Sequence, residues 1–451
     1  MAAVAGLCAA GAGAHEDEAL ALWPLWRDPA FQRQFLGSYG VQAEVEPRVT
    51  TMEREEMEKV AALMATRGGL DKARAYLSQA IKPTDTAAFD FTLGSICFQQ
   101  EQLNAAAQWY RKAIAKFPSF LRAHKNLGIV NVRLGEYEEA VGSLTRAIEL
   151  GVRDGVTLGL LGHAYLMTGQ AASAELAYRE AVLLQPAILD WKMGLARCLF
   201  KLRKFEEAAA LCEELIARQP DRPELWLLQA NAFLGLKDTA SAAGNYEYLE
   251  ALGKAPPQAL NALGDIQLND GYADLAAEAY AKALERESEP DLARGLRNVE
   301  ALAARGATAE ARDLVERLKR APAERFTPEL RKRQLKVEAR LAAAEGPGNP
   351  EAARILQEIV DLDPLDGEAL ILLGQHHAAK GELEKAIFHF ERAAGIAAHE
   401  AEACLRHAQS LVRAGRYAAA VPLLKRTQEL RPRDDIARYL EQVERVARLK
   451  N

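Results

Sequence analysis

Apolar and polar positions along this chain recur with a step of 34 residues, and one alanine per step marks it. Ala73, Ala106, Ala140, Ala174, Ala208, Ala242, Ala276, Ala311, Ala352, Ala386 and Ala420 are spaced 33, 34, 34, 34, 34, 34, 35, 41, 34 and 34 residues apart. Chance does not hold one residue type to that step, so the chain is read as a repeat array before any count of domains. Twelve residues before the alanine stands a small residue: Gly94, Gly128, Gly162, Ala196, Ala230, Gly264, Gly374 and Ala408. Four after it stands a bulky one: Leu77, Tyr110, Leu144, Tyr178, Tyr246, Tyr280, Leu356, Phe390 and Leu424. Twelve after it a proline often closes the repeat, as at Pro118, Pro186, Pro220, Pro364 and Pro432.

This spacing predicts two antiparallel helices per repeat. From Gly155 to Ile188, Leu158, Leu161, Gly162 and Tyr165 keep helical spacing and turn one face of a first helix inward. Gly169 is the predicted stop, because glycine takes the left-handed conformation of a helix C-terminus. Gly68, Gly135, Gly271, Gly306, Gly381 and Gly415 fill the same slot elsewhere. Ala174, Tyr178 and Ala181 form the inner face of the second helix, and Pro186 ends it.

These residues resemble the tetratricopeptide repeat, as in Leu158-Gly159-Leu160-Leu161-Gly162-His163-Ala164-Tyr165, over residues 54 to about 434. The resemblance implies an all-α fold, a right-handed superhelical solenoid of about eleven two-helix repeats with helical caps. It also implies a concave wall of first helices that binds extended peptides or partner helices. No repeat can bury its apolar face alone, so one cooperative array is expected.

Four parts are expected along the chain. Residues 1–14 read as a signal peptide: only Ala, Val, Gly, Leu and Cys follow Met1, and Ala12-Gly13-Ala14 precedes the acidic His15-Glu16-Asp17-Glu18. A positive n-region is missing, and an Ala/Gly-rich unstructured N-terminus is the alternative. Residues 15–53 are expected to cap the first repeat. Apolar Leu20, Leu22, Trp23, Leu25 and Trp26 lead there into a short helix from Asp28-Pro29 to Gly37, bearing Phe31 and Phe35. The solenoid fills 54–434, with a lengthened repeat at about 292–366 that has a poor first helix, a joint at Pro322 and a Gly346-Pro347-Gly348-Asn349-Pro350 loop. Pro422 is expected to kink the last second helix. Residues 435–451 are a capping helix with Ile436, Tyr439, Leu440, Val443, Val446 and Leu449 on one face.

Composition changes this picture little. Apolar residues make up 49% of the 451 and charged ones 27%, the balance of a folded chain, and the net charge of −6 argues against non-specific nucleic-acid binding. The apolar start is too short to span a bilayer, so no membrane span is expected. Five cysteines are too few for a disulfide scaffold. Cys198 and Cys212 lie on the two helices of one repeat and would pair only in an exported, oxidised chain; otherwise they pack as small hydrophobes with Cys97 and Cys404.

No phosphate loop, zinc helix, Cys-x-x-Cys pair or nucleophile–base pair is found, so no enzyme, cofactor or metal is expected. His376, His377, His389, His399 and His407 are five of the eight histidines. His377 and His407 are placed to approach each other, yet core or groove histidines are favoured over a metal site. The basic run Arg317, Lys319, Arg320, Arg325, Arg331, Lys332 and Arg333 has few aromatics among it and reads as solvated surface rather than an RNA site.

By the family's geometry the concave wall carries Phe91, Phe98 and Gln99, then Arg122, Lys125 and Arg133, then His163 and Met167, then Met193, Arg197, Phe200 and Lys201. This basic strip interleaved with Phe and Met suits an acidic, partly apolar protein or peptide partner. Asn126 stands where some family members bond a ligand backbone, although the lysine-arginine set of carboxylate clamps is not in register. The next repeats turn polar and acidic at Glu224, Asn231, Asn261, Asp265 and Asn269. The expected function is a protein-interaction scaffold, similar to exported bacterial proteins that accompany TonB-type energy-transduction or export machinery, hence periplasmic or secreted. A cytoplasmic adaptor or cochaperone, and a subunit that presents substrate to an enzyme, are the alternatives.

Overall fold

Alternating helix-forming runs and left-handed stops give a chain of helical hairpins. The structure, a computed structural model, describes residues 44–344 and 349–450. The expected leader, the helix with Phe31 and Phe35, and Gly346–Gly348 lie outside the described residues. Among those described, the α-helices number α1 to α23 and no strand occurs. None of these helices is long and apolar enough to cross a membrane. The described residues form two compact units, divided between Asn245 and Tyr246.

The first unit holds α1 (Thr51–Met64), α2 (Gly69–Ala80), α3 (Ala87–Gln99), α4 (Leu103–Lys116), α5 (Leu121–Leu134), α6 (Tyr137–Glu149), α7 (Gly155–Met167), α8 (Ala171–Leu184), α9 (Leu189–Lys201), α10 (Phe205–Arg218) and α11 (Pro223–Leu236). The division between units falls within α12 (Thr239–Ala251). The second unit holds α13 (Pro257–Asn269), α14 (Ala273–Arg286), α15 (Leu292–Ala304), α16 (Thr308–Leu318), a 3-10 turn at Ala323–Arg325, α17 (Pro328–Ala343), α18 (Pro350–Leu362), α19 (Gly367–Ala379), α20 (Leu383–Ala394), α21 (Glu400–Arg413), α22 (Tyr417–Leu430) and α23 (Asp434–Lys450).

The small and bulky positions meet inside each pair. A Cβ on Gly162 would lie 2.9 Å from the ring of Tyr178, and one on Gly94 2.7 Å from Tyr110. Such approaches leave no room for a side chain, so the aromatic ring fills the space that glycine leaves. Every marker alanine from Ala73 to Ala420 is buried. Tyr110, Phe120, Leu144, Tyr178 and Trp191 thread one core through the first unit. In the second, Tyr280, Leu296 and Leu314 form one cluster and Ile359, Leu370 and Phe390 another.

Local chemistry sets the ends. Thr50 and Glu53 make reciprocal bonds at the start of α1, Thr50 Oγ1 accepting from the Glu53 amide at 3.2 Å and Glu53 accepting the Thr50 amide at 2.8 Å. This capping box starts the first helix at Thr51, ahead of residue 54. Gly135 and Gly169 close α5 and α7 at φ of 77° and 78°. Glu101, Arg203 and Lys237 occupy the same slot at φ of 60°, 61° and 65°.

The lengthened repeat differs from the sequence expectation. Its first helix, α15, is a full 13 residues, N-capped by Asp291 and burying Leu296, Val299 and Leu302. The extra length lies instead in the joint between α16 and α17 and in α17 itself, which has 16 residues. α22 runs unbroken through Pro422, which is exposed. In α23, Ile436 and Val443 are buried as expected, but Leu449 is 81% exposed.

Candidate functional site

In the first unit the first helices of successive pairs lie side by side, α5 beside α7, α7 beside α9, and α9 beside α11. They form the wall on which most of the expected groove residues stand. Its α5 end is occupied by the chain itself. Arg122 gives both arms of its guanidinium to Glu46, at 2.9 and 2.7 Å. Phe91 is buried, its ring 4.9 Å from that of Phe120 and 5.1 Å from the Arg122 guanidinium.

Further along α5 the side chains also have partners. Lys125 reaches Asp154 at 2.9 Å, and Asp154 caps α7 by accepting the Thr157 amide, also at 2.9 Å. Burial works to raise the Asp154 carboxyl, but Lys125 and the Thr157 amide outweigh it and leave the group below the ordinary carboxylate range. Asn126 is buried and donates to the Tyr110 hydroxyl at 3.4 Å. That hydroxyl also meets Ser95 at 3.1 Å, so the amide serves the interior. Arg133 pairs with Glu101 and lies 5.2 Å over the ring of buried Phe98.

The α7–α9 end is different. His163 is buried, its ring 5.6 Å edge-on to Tyr137. Burial, assisted by the positive Arg197, holds its pKa down at about 4, so it is neutral at pH 7. Met193 is buried and takes a contact from Arg222 at 3.6 Å on its sulfur. Met167, Arg197 and Phe200 are half-buried and Lys201 is exposed. Arg197, Phe200 and Lys201 fall three and four residues apart on one face of α9. Neither cation has an ion pair among the described residues. Two cations therefore survive without an ion pair here, on a wall that also carries half-buried Met167 and Phe200, whose ring packs 5.6 Å from that of Phe205.

Downstream polar positions are spent internally. Asp265 pairs with Arg294 at 2.5 Å and accepts the Tyr280 hydroxyl at 2.8 Å, and Asn261 accepts from Asn298 at 2.7 Å. The histidines do not meet as the sequence suggested. His377 stacks on His389, 5.4 Å between centroids, while His407 stacks on Phe390 at 5.9 Å. His377 is also bonded to Glu382 at 2.8 Å. No group of three or more His, Cys, Asp or Glu among the described residues is placed to hold a metal. Cys198 and Cys212 are free and buried, and burial pushes both thiols up to about 12.

Three contributors escaped the sequence reading, the Asp154 partner of Lys125 among them. Glu46 lies 76 residues from Arg122, beyond any helical spacing, and Glu101 sits in a slot read as a glycine stop. The one local signal was an acidic pair, Glu44 and Glu46, directly before Pro47.

Comparison with known proteins follows the same lines. Models of the tetratricopeptide repeat match residues 165–232, 227–291, 337–401 and 405–441, and a TPR repeat model matches 94–135. Cellulose synthase 2 operon protein C of Komagataeibacter xylinus is 28% identical over 287 residues, 57% of this chain and 21% of that protein. Tetratricopeptide repeat-containing protein trd-1 of Caenorhabditis elegans is 29% identical over 132 residues, 29% of this chain and 16% of that protein. The chain thus spans about a fifth of the length of the curated relatives it matches. Among solved structures, a tetratricopeptide repeat protein from Parabacteroides merdae covers 56% of this chain and 98% of its own, at 19% identity and a TM-score of 0.36. YrrB, described as a TPR protein with an unusual peptide-binding site, covers 45% and 96%, at 22% identity and a TM-score of 0.33.

Proposed function

The chain belongs to the tetratricopeptide repeat family, and on that premise we propose that it is a protein-interaction scaffold that holds an acidic, partly apolar partner segment on the α7–α9 wall. One observation carries this: Arg197 and Lys201 flank half-buried Phe200 and lack ion pairs among the described residues. A guest carboxylate there gains charge-assisted bonds, each contributing about 1.5–3 kcal/mol, without displacing an existing partner. Phe200 and Met167 supply adaptable apolar contact beside it. Nothing in this arrangement activates a nucleophile; it positions a guest.

The test is affinity capture from the source organism with crosslinking mass spectrometry, comparing the native chain with Arg197→Glu/Lys201→Glu. Crosslinks from Lys201 to an acidic partner segment, and at least tenfold weaker capture by the double variant, are expected. Undiminished capture would sink the assignment to this wall.

The wider reading sets the scaffold in the bacterial envelope, beside energy-transduction or export machinery of the TonB kind. Export is supported by the sequence of residues 1–18 alone, and the TonB-type setting only by the likeness to exported tetratricopeptide proteins. Recovery of a mature chain beginning at His15 supports it, and a chain retaining Met1–Ala14 overturns it.

A further inference from the structure

Residues 44–46 fold against the start of α5, Glu44 and Val45 in a turn and Glu46 at a bend. Leu121, the first residue of α5, carries one of the amide hydrogens that a helix N-terminus leaves without an internal partner. No side chain caps this helix. The Val45 carbonyl accepts the Leu121 amide at 3.0 Å instead. One residue earlier, the Glu44 carbonyl accepts the Ser119 hydroxyl at 2.8 Å. One residue later, the Glu46 carboxylate takes the Arg122 fork described above. Two carbonyl contacts that any peptide in this turn can make thus sit beside one contact that only an acidic residue can make.

The receptor is built in advance. Arg122 is held by stacking, its guanidinium 5.1 Å from the Phe91 ring and 5.9 Å from that of Phe120. A fork fixed in this way loses little freedom on meeting a carboxylate, and so favours that partner over a neutral one. The occupant, by contrast, is lightly held: Glu44 is exposed and Val45 half-buried, with only Glu46 and Pro47 buried. The bonds that hold it to α5 are polar, and a partner can reproduce each of them.

We propose that Glu44–Glu46 is a built-in occupant of this receptor, and that a partner's segment taking the same turn, with a carboxylate at the position of Glu46, competes with it there. This rests on the scaffold reading above and adds to it the guest's backbone register and a means of regulation. A guest's apparent affinity for this end of the wall is scaled by the fraction of molecules in which the chain's own segment has let go, and so rises as that fraction rises.

The test uses the full-length chain and a fluorescein-labelled, end-capped hexapeptide with the sequence of residues 44–49 (Glu-Val-Glu-Pro-Arg-Val). Replacing Glu46→Gln in the chain should speed hydrogen exchange at the Leu121 amide and tighten peptide binding about tenfold, a difference of about 1.4 kcal/mol. Glu46→Asp, which keeps the charge, should show a smaller gain and controls for folding. Adding Arg122→Gln should remove the gain, and a peptide with glutamine for its second glutamate should not bind. Faster exchange at Leu121 with unchanged peptide affinity would overturn the proposal. Binding that survives Arg122→Gln but is lost in Arg197→Glu would also overturn it, while leaving the scaffold reading in place. No binding by any of these chains, together with undiminished partner capture by Arg197→Glu/Lys201→Glu, would sink both.

Discussion

Two first helices carry runs of cations, and the chain neutralises only one of them. On α17, Arg331 meets Glu358 at 2.6 Å, and Lys332 meets Asp363 at 2.5 Å and Asp366 at 3.2 Å. Lys336 meets Asp366 at 2.8 Å and Glu368 at 3.0 Å, and Arg333 pairs with Glu300. On α9, Arg197 and Lys201 form no ion pair among the described residues, although Arg197 acts on Asp190 at longer range. The sequence shows charge at both places, but an unpaired cation offers a guest its full binding energy. A paired one must first lose its partner, which offsets most of the gain.

The largest effect expected on the α9 side is a pH dependence. His163 has a pKa of about 4 in the folded chain, because burial and then Arg197 disfavour its charged form. In the unfolded chain it lies near 6.5. The folded pKa is the lower one, so the stability it contributes is present above about pH 6.5 and is lost as pH falls toward 4. The full linkage is about 3 kcal/mol, and urea melts from pH 7 to pH 4.5 should show it. His389, also held at about 4 by burial, adds a similar slope in the other unit, so His163→Asn against wild type isolates the His163 share. A slope identical in the two chains would refute it. A carboxylate seated on Arg197 should raise the His163 pKa, which histidine NMR can follow.

On the α17 side the expected loss is about 2 kcal/mol, from Asp366→Ala. This carboxylate is nearly buried, bridges Lys332 and Lys336, and caps α19 by accepting the Ala369 amide at 3.0 Å. Burial alone would raise its pKa, yet the bonds from Lys336, Ala369 and Lys332 hold it below the ordinary value. Its contribution is therefore present above about pH 4 and fades as pH drops through the folded pKa. A denaturant midpoint unchanged by Asp366→Ala would show that the α17 pairs are decorative.

The hairpin stack was legible because it rests on short-range rules. The step between Gly162 and Tyr178, and the left-handed stop at Gly169, are set within a single repeat. What was not legible depended on tertiary pairing. Arg122 and Lys125 looked like free groove cations, but their carboxylates come from Glu46 and from the cap of the next first helix, Asp154. Asn126 looked like a ligand hook, and the hydroxyl of Tyr110 claims it. Glu101, Arg203 and Lys237 escaped notice because the stop was read as glycine, whereas packing on either side forces them into the same conformation. That conformation strains a side chain by about 1–2 kcal/mol. Lys237→Gly should therefore raise stability, by about 0.5–1 kcal/mol once the extra freedom of the unfolded glycine is deducted. A lower melting temperature would contradict this.

The smallest expected effect is the sharpest test of the contrast between the two helices. If Arg197 and Lys201 are held for a guest, reversing both to glutamate should change unfolding free energy by no more than about 0.5 kcal/mol, the range of ordinary surface changes. Lys336→Glu on α17 should cost more, about 2 kcal/mol, because it sets a new carboxylate against Asp366 and Glu368, which lie 2.8 and 3.0 Å from the present ammonium. The two reversals thus predict opposite pairings of stability and binding: stability kept and capture lost on α9, stability lost on α17. Equal destabilisation would mean that the α9 cations support the fold, since a group held in reserve for a partner contributes nothing until the partner arrives.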